Sequence, residues 1–148
     1  MKPALPHLER RLRNCRGVLV DSNILLDIAT NDASWVKWSI AALAECADQT
    51  VLVINPIVYV EVSVGFSTIE ELNAAVPAGS YTREPLPWEA GFLAGKCYLT
   101  YRKRGGLRNN PLPDFYIGAH AAVASLALLT RDEARYRTYF PTLEILAP

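Results

Sequence analysis

An α/β fold with a mainly parallel central sheet is what this sequence predicts, and three observations carry the prediction. The short apolar runs Val18-Leu19-Val20, Val51 to Ile54 and Leu128-Leu129-Thr130 have the composition of strands buried on both faces. Stretches of helical periodicity separate them, and alternating strands and helices fold into a sheet covered on both sides through right-handed crossovers. The chain has 148 residues, the size of one domain with a proper core, and its 51% hydrophobic and 20% charged residues include no biased tract.

Residues 1–16 form a basic extension, with Lys2, Arg10, Arg11, Arg13 and Arg16 against Glu9 and with Leu5, Leu8 and Leu12 at helical spacing, so an add-on helix is expected. The domain proper is residues 17–148. Its first strand, Val18 to Val20, stops abruptly at Asp21. Asn31 or Asp32 can cap a helix that turns Trp35, Trp38, Ala42, Leu43 and Cys46 to a core. After the second strand, Asn55-Pro56 reads as an N-cap with proline at the first helical position, opening a helix through Phe66. Val58, Val60, Val62 and Val64 alternate with Tyr59, Glu61 and Ser63, a period that favours a strand, but the cap decides for helix.

Ser67-Thr68-Ile69-Glu70 has the form of a capping box and predicts a short helix to about Ala75. A strand around Ser80 to Leu86 precedes a helix from Pro87 or Trp88 to Arg104, closed by Gly105-Gly106. The loop from Gly105 to Pro113 is rich in Gly, Asn and Pro, and Asp114 is expected to open the next helix. Leu128-Leu129-Thr130 is the following strand, then a polar and aromatic turn after Asp132, then a last strand over Leu143 to Leu146.

Composition excludes several classes. Formal net charge is zero, so any nucleic-acid contact must use local patches. Cys15, Cys46 and Cys97 are an odd count without a CxxC pair, which fits reduced thiols, and neither His7 nor His120 stands at zinc-ligand spacing from a cysteine. No stretch reaches the ~18 apolar residues of a membrane span, and charges occupy the place of a signal peptide's apolar region. A cytoplasmic protein that meets no membrane is expected.

In open α/β sheets, ligands gather beyond the carboxyl ends of the strands, where Asp21 and Asp132 both stand. Asp21, Asp114 and Asp132 could each be a plain helix cap, and Asp27 reads as a solvent-facing helix acid outside the site. Glu61 lies in an apolar segment with no nearby lysine or arginine, where a carboxylate needs a partner or a metal unless it lies on a solvent-facing stripe. If the four converge, neighbouring pairs at ~4 Å repel by about 4 kcal/mol at an effective dielectric near 20. Protons or cations must then neutralise them. An all-oxygen cluster favours Mg²⁺ or Mn²⁺, whose chemistry at such a site is phosphodiester hydrolysis.

The series Val-Leu-Val-Asp21-Ser22-Asn23-Ile-Leu-Leu-Asp, Glu61, Asp114 followed by Phe-Tyr-Ile-Gly-Ala, and Leu-Leu-Thr130-Arg-Asp132 resembles a PIN-domain ribonuclease, specifically a VapC-type toxin, over about Val18 to Leu146. The resemblance implies a three-layer α/β/α sandwich that cleaves RNA with one or two Mg²⁺ ions, Mn²⁺ substituting. It assigns Asp21, Glu61, Asp114 and Asp132 as metal-binding catalytic acids, supported by Ser22, Asn23 and Thr130. Ser22 replaces the usual threonine but keeps the hydroxyl, while Asn55-Pro56 stands where the family often has Ser or Thr. The resemblance further implies a homodimer restrained by a cognate antitoxin whose tail enters the acidic groove.

Arg102, Lys103, Arg104 and Arg108 beside the glycine loop, with Arg131 and Arg135 past the last acid, are candidates to hold RNA phosphates or an acidic antitoxin tail. The bland account is a solvated helix end answering the dipole. Tyr98, Tyr101, Tyr116, Tyr136 and Tyr139 could stack bases, although tyrosines at helical spacing are more often core or interface residues. A haloacid-dehalogenase-like phosphatase would need Asp at position 23, where Asn stands. A DNA nuclease of this type would bring extra helices or domains. A silent RNA- or protein-binding module, its acids serving as caps, is the remaining alternative.

Overall fold

The computed structural model describes residues 2–106 and 112–148. Its centre is a five-stranded sheet, all parallel, in the order β3-β2-β1-β4-β5. β1 (Gly17–Val20) lies in the middle, and its Val18, Leu19 and Val20 are wholly buried, as expected of a strand covered on both faces. It pairs with β2 (Leu52–Ile54) on one side, Val18 opposite Leu52, and with β4 (Leu126–Leu129) on the other, Val20 opposite Leu129. β3 (Tyr81–Arg83) and β5 (Ile145–Leu146) are the edges.

Among the described residues, eight helices cover the sheet: α1 (Leu8–Arg11), α2 (Ser22–Ala29), α3 (Val36–Gln49), α4 (Pro56–Ser63), α5 (Ile69–Ala75), α6 (Trp88–Lys103), α7 (Leu112–Val123) and α8 (Glu133–Tyr139). The chain steps from β1 outward to β3, then returns past β1 to β4 and β5. With right-handed crossovers this reversal puts α2 to α5 on one face and α6 to α8 on the other, a three-layer α/β/α sandwich. The turnaround lies between β1 and β4, so the switch point where α/β sheets bind ligands is at the carboxyl ends of those two strands.

Local chemistry explains the elements. Asn55 accepts the Val58 N–H at 2.9 Å and Pro56 follows at the first helical position, so α4 is a helix despite its alternating valines. The cap of α5 lies one residue later than Ser67: Thr68 accepts from Glu71 N, and Glu71 reaches back to Ser67 N. Gly105, at φ 88°, closes α6 in the left-handed conformation. In α7, Gly118 lets the Phe140 ring pack where a Cβ would clash at 2.4 Å.

Three expectations change. Residues 133–139 after Asp132 form helix α8 rather than a turn. Asp114 lies in the first turn of α7, which begins two residues earlier at Leu112. The N-terminal segment is helical only over Leu8–Arg11, because Pro3 and Pro6 lack N–H donors and His7 takes φ 59°. That segment packs on the common core. Leu5, Leu8 and Leu12 are buried, the N–H groups of Ala4 and Leu5 donate to Glu45 at 2.7 and 2.9 Å, and Arg11 donates to Glu144 and the Ile145 carbonyl. Among the described residues no helix is long and apolar enough to cross a membrane.

Candidate functional site

β1 ends and α2 begins at Asp21, the N-cap of α2, a residue only 4% exposed. Its Oδ1 accepts the Ser22 N–H at 2.8 Å. Its Oδ2 accepts the hydroxyls of Thr130 at 2.8 Å and Tyr136 at 3.1 Å, with Asn23 Nδ2 at 3.5 Å. None of these partners carries a positive charge. Burial therefore pushes the Asp21 carboxyl up to about 6, and the charge of Asp114 acts in the same direction, against the opposing pull of its hydrogen bonds.

Glu61 projects from α4 and is half-buried, its Oε1 accepting the Ser22 hydroxyl at 3.0 Å. Burial raises its carboxyl, and Asp114 raises it further. Asp114 is raised chiefly by burial, with Asp132 adding to the rise, while Arg135, whose Nη1 donates to Asp114 Oδ2 at 2.5 Å, holds it down. Asp132 precedes α8 at the surface, its backbone N–H donating to Thr130 Oγ1 at 3.0 Å. Asp114 is thus felt by both Asp21 and Glu61 and itself feels Asp132. The four carboxylates form one electrostatically linked group at the switch-point edge.

Each carboxylate except that of Asp132 is turned to a donor of its own, and among the described residues no three acids, histidines or cysteines stand together at metal-ligand distance. The chemistry of the donor set fits a hard divalent ion: carboxylates, with hydroxyl and amide oxygens behind them and no thiol or imidazole among them.

The supporting residues form a connected frame. Asn23 Oδ1 accepts the Arg131 N–H at 3.2 Å and its Nδ2 donates to Thr130 Oγ1 at 3.3 Å. Thr130, buried, both donates to Asp21 and accepts from Asp132 N, so one hydroxyl ties the end of β1 to the turn before α8.

Sequence reading left three roles unseen here. Arg135, a candidate phosphate contact, bonds Asp114, and Tyr136, a candidate for stacking or the core, donates to Asp21; both contacts depend on α8, which was read as a turn. Asp27 is no solvent-facing acid. It is 3% exposed and accepts from Ser39 Oγ at 2.7 Å and from Arg131 Nε and Nη2 at 2.6 and 2.8 Å. The Arg131 guanidinium also lies over the Trp35 ring, 5.0 Å from its centroid. Arg131 is therefore a structural clamp in this arrangement rather than a free phosphate or antitoxin contact. Arg104 lies over the Tyr139 ring and Arg102 is half-buried at the end of α6, while Arg108 falls outside the described residues.

Residues 18–141 match the profile of the PIN domain. No curated protein matches the chain. Among solved structures it is similar to VapBC2 from Rickettsia felis bound to a promoter DNA fragment (16% identity, TM-score 0.68, covering 88% of this chain and 98% of that one). It is likewise similar to VapBC-1 from nontypeable Haemophilus influenzae (20% identity, TM-score 0.64, covering 88% and 96%). A toxin–antitoxin complex from Klebsiella pneumoniae gives 21% identity, TM-score 0.66 and coverage of 89% and 98%. At these identities the likeness concerns the fold.

Proposed function

The chain belongs to the PIN-domain family, and from that premise we propose that it is a metal-dependent endoribonuclease, the toxin of a toxin–antitoxin pair. The observation that carries the reading is the buried Asp21 carboxylate, raised to about 6, feeling the charge of Asp114 and, among the described residues, with no cation bonded to it. A helix cap needs no such burial, since an exposed Asp or Asn caps equally well. Desolvating a carboxylate among other carboxylates disfavours the fold, and it makes sense where a cation is to be received.

Asp21, Glu61, Asp114 and Asp132 are the residues that would hold one or two Mg²⁺ ions, with Mn²⁺ as a substitute. So held, the metal supplies an activated water and charge neutralisation at the phosphate. The chain's own part is positioning. Thr130 and Tyr136 fix Asp21 from two sides, and Ser22 pins Glu61 toward α2. RNA as the substrate rests on the family.

Two partners follow in this reading. The similar structures named VapBC or toxin–antitoxin complexes support a cognate antitoxin, and the exposed Val60 on α4, Val64 just after it and Ile69 on α5 offer apolar surface for it to cover. A second copy of the chain fits α6. Trp88, Phe92, Gly95 and Leu99 recur at spacings of four, three and four, one stripe of a helix; Trp88 is 91% and Phe92 71% exposed, and a Cβ at Gly95 would meet nothing. Placed antiparallel on itself, the stripe sets Phe92 against the gap at the partner's Gly95 and Trp88 near the partner's Leu99. Glu89 and Lys96, on one flank, then approach each other across the pair.

Cleavage of total cellular RNA by the antitoxin-free protein with Mn²⁺ or Mg²⁺, wild type against Asp21→Asn, is the test. Discrete metal-dependent cuts should appear in the wild type and vanish in the variant, which keeps its fold because the amide replaces a desolvated charge. Cuts that persist in Asp21→Asn, or no cuts and no Mn²⁺ binding by the wild type, reject the reading.

A further inference from the structure

Among the described residues, the one ion pair made by any of the four acids is Arg135 to Asp114. The other arginines around that turn are engaged elsewhere: Arg131 with the buried Asp27, Arg137 with Glu133 one helical turn away. Arg135 lies in the first turn of α8, three residues beyond the N-cap Asp132, whose negative charge also acts on it, so the guanidinium stays at the site even when it lets go of Asp114. The pair is also solvent-accessible, with side chains 34% and 25% exposed, so the guanidinium can swing without unpacking the core.

From this geometry we propose that Arg135 is the site's own counter-ion, standing on Asp114 in the arrangement seen here and passing to a phosphate of the RNA backbone when Asp114 turns to a divalent ion. The inference rests on the nuclease reading above and gives Arg135, one of its candidate phosphate contacts, a resting partner and the event that frees it. A cation and a guanidinium compete for one carboxylate, because each repels the other at the short distances both require. Once displaced, Arg135 presents a planar fork of N–H donors that matches two phosphate oxygens, and the acids around it keep it charged and close. The same group thus moderates repulsion among the acids and holds the substrate.

Arg135→Met, which keeps the stem and removes the charge, separates these roles when Mn²⁺ affinity is measured by titration calorimetry and RNA cleavage by steady-state kinetics. With the competitor gone, Mn²⁺ should bind roughly fivefold more tightly, the scale of a partly exposed ion pair. Mn²⁺ should also raise the variant's melting temperature more than the wild type's. KM for RNA should rise while kcat changes less. Arg135→Lys keeps the charge and guards against a misfolded Met variant: its Mn²⁺ affinity should stay near wild type, with KM intermediate. Unchanged or weaker Mn²⁺ binding in Arg135→Met, in a wild type that does bind Mn²⁺ and cut RNA, overturns this inference alone. A wild type that neither binds Mn²⁺ nor cuts RNA removes the nuclease reading with it.

Discussion

The Asp27 carboxylate is buried with a guanidinium folded over it, and that pair sets how firmly the turn from Thr130 to Asp132 is held. Asp27 has two protein donors, the Ser39 hydroxyl and the Arg131 fork, and Arg131 is itself sandwiched by Trp35. Removing Arg131 leaves a buried charge with a single hydroxyl, so Arg131→Met should lose about 3 kcal/mol of stability in urea denaturation. The double variant Asp27→Leu with Arg131→Met should recover much of it, because an apolar pair replaces the ionic one. A single-variant loss near zero would mean that solvent already screens the pair and that it does not hold the turn. The effect of Arg131→Met stays local because the backbone bonds of the turn, Arg131 N to Asn23 and Asp132 N to Thr130, survive the substitution.

At the scale of elements, what the sequence could and could not reveal follows from where the deciding forces act. The buried strands were legible because a strand covered on both faces must be apolar throughout, and α4 was legible because Asn55-Pro56 is a local signal that outweighs its alternating valines. Asp21 and Asp132 could be placed at one edge from topology alone. α8 was not legible: Glu133 to Tyr139 has no Ser, Thr or Asn capping its start and Asp132 makes no side-chain cap bond, so its helix depends on Tyr136 and Phe140 packing into a core that only the folded chain provides. The role of Asp27 was hidden for the same reason, since its partner lies 104 residues away. The α6 stripe belongs to this scale too. Phe92→Glu places a charge where two copies of the helix would meet, and light scattering should show a dimer for the wild type and a monomer for the variant, with an unchanged melting temperature at low concentration. A wild type that is monomeric at tens of micromolar removes α6 as a self-association face.

Across the whole molecule, His120 joins parts that the sheet keeps apart. Its buried ring on α7 meets Asn55 Nδ2 through Nδ1 at 3.0 Å and Glu84, just after β3, through Nε2 at 3.3 Å. Asn55 is engaged through Oδ1 as the cap of α4, so its amide must donate and the imidazole must accept at Nδ1. That requirement selects the neutral ring with its proton on Nε2, which donates to Glu84. Arg16, just before β1, completes the network by donating twice to Glu84 at 2.7 Å and to the Ala124 carbonyl at 2.6 Å. Burial lowers the proton affinity of His120; Glu84 opposes this and Arg16 adds to it. The unfolded chain, with an ordinary imidazole near 6.5, then binds more protons than the folded one below that pH. This contribution to stability is complete above about 6.5 and is lost as pH falls through the lower folded value. Glu84, held below its ordinary range chiefly by its hydrogen bonds to Arg16, loses its contribution in the same direction but at more acid pH. Protonation of Asp21, whose carboxyl burial raises to about 6, works the other way over the same window, so the two proteins must be compared at each pH. Relative to His120→Gln, which can still accept from Asn55 and donate to Glu84 but cannot take a proton, the wild type's urea midpoint should fall between pH 7 and pH 5. Parallel midpoints in the two proteins would leave His120 a passive hydrogen-bonding strut.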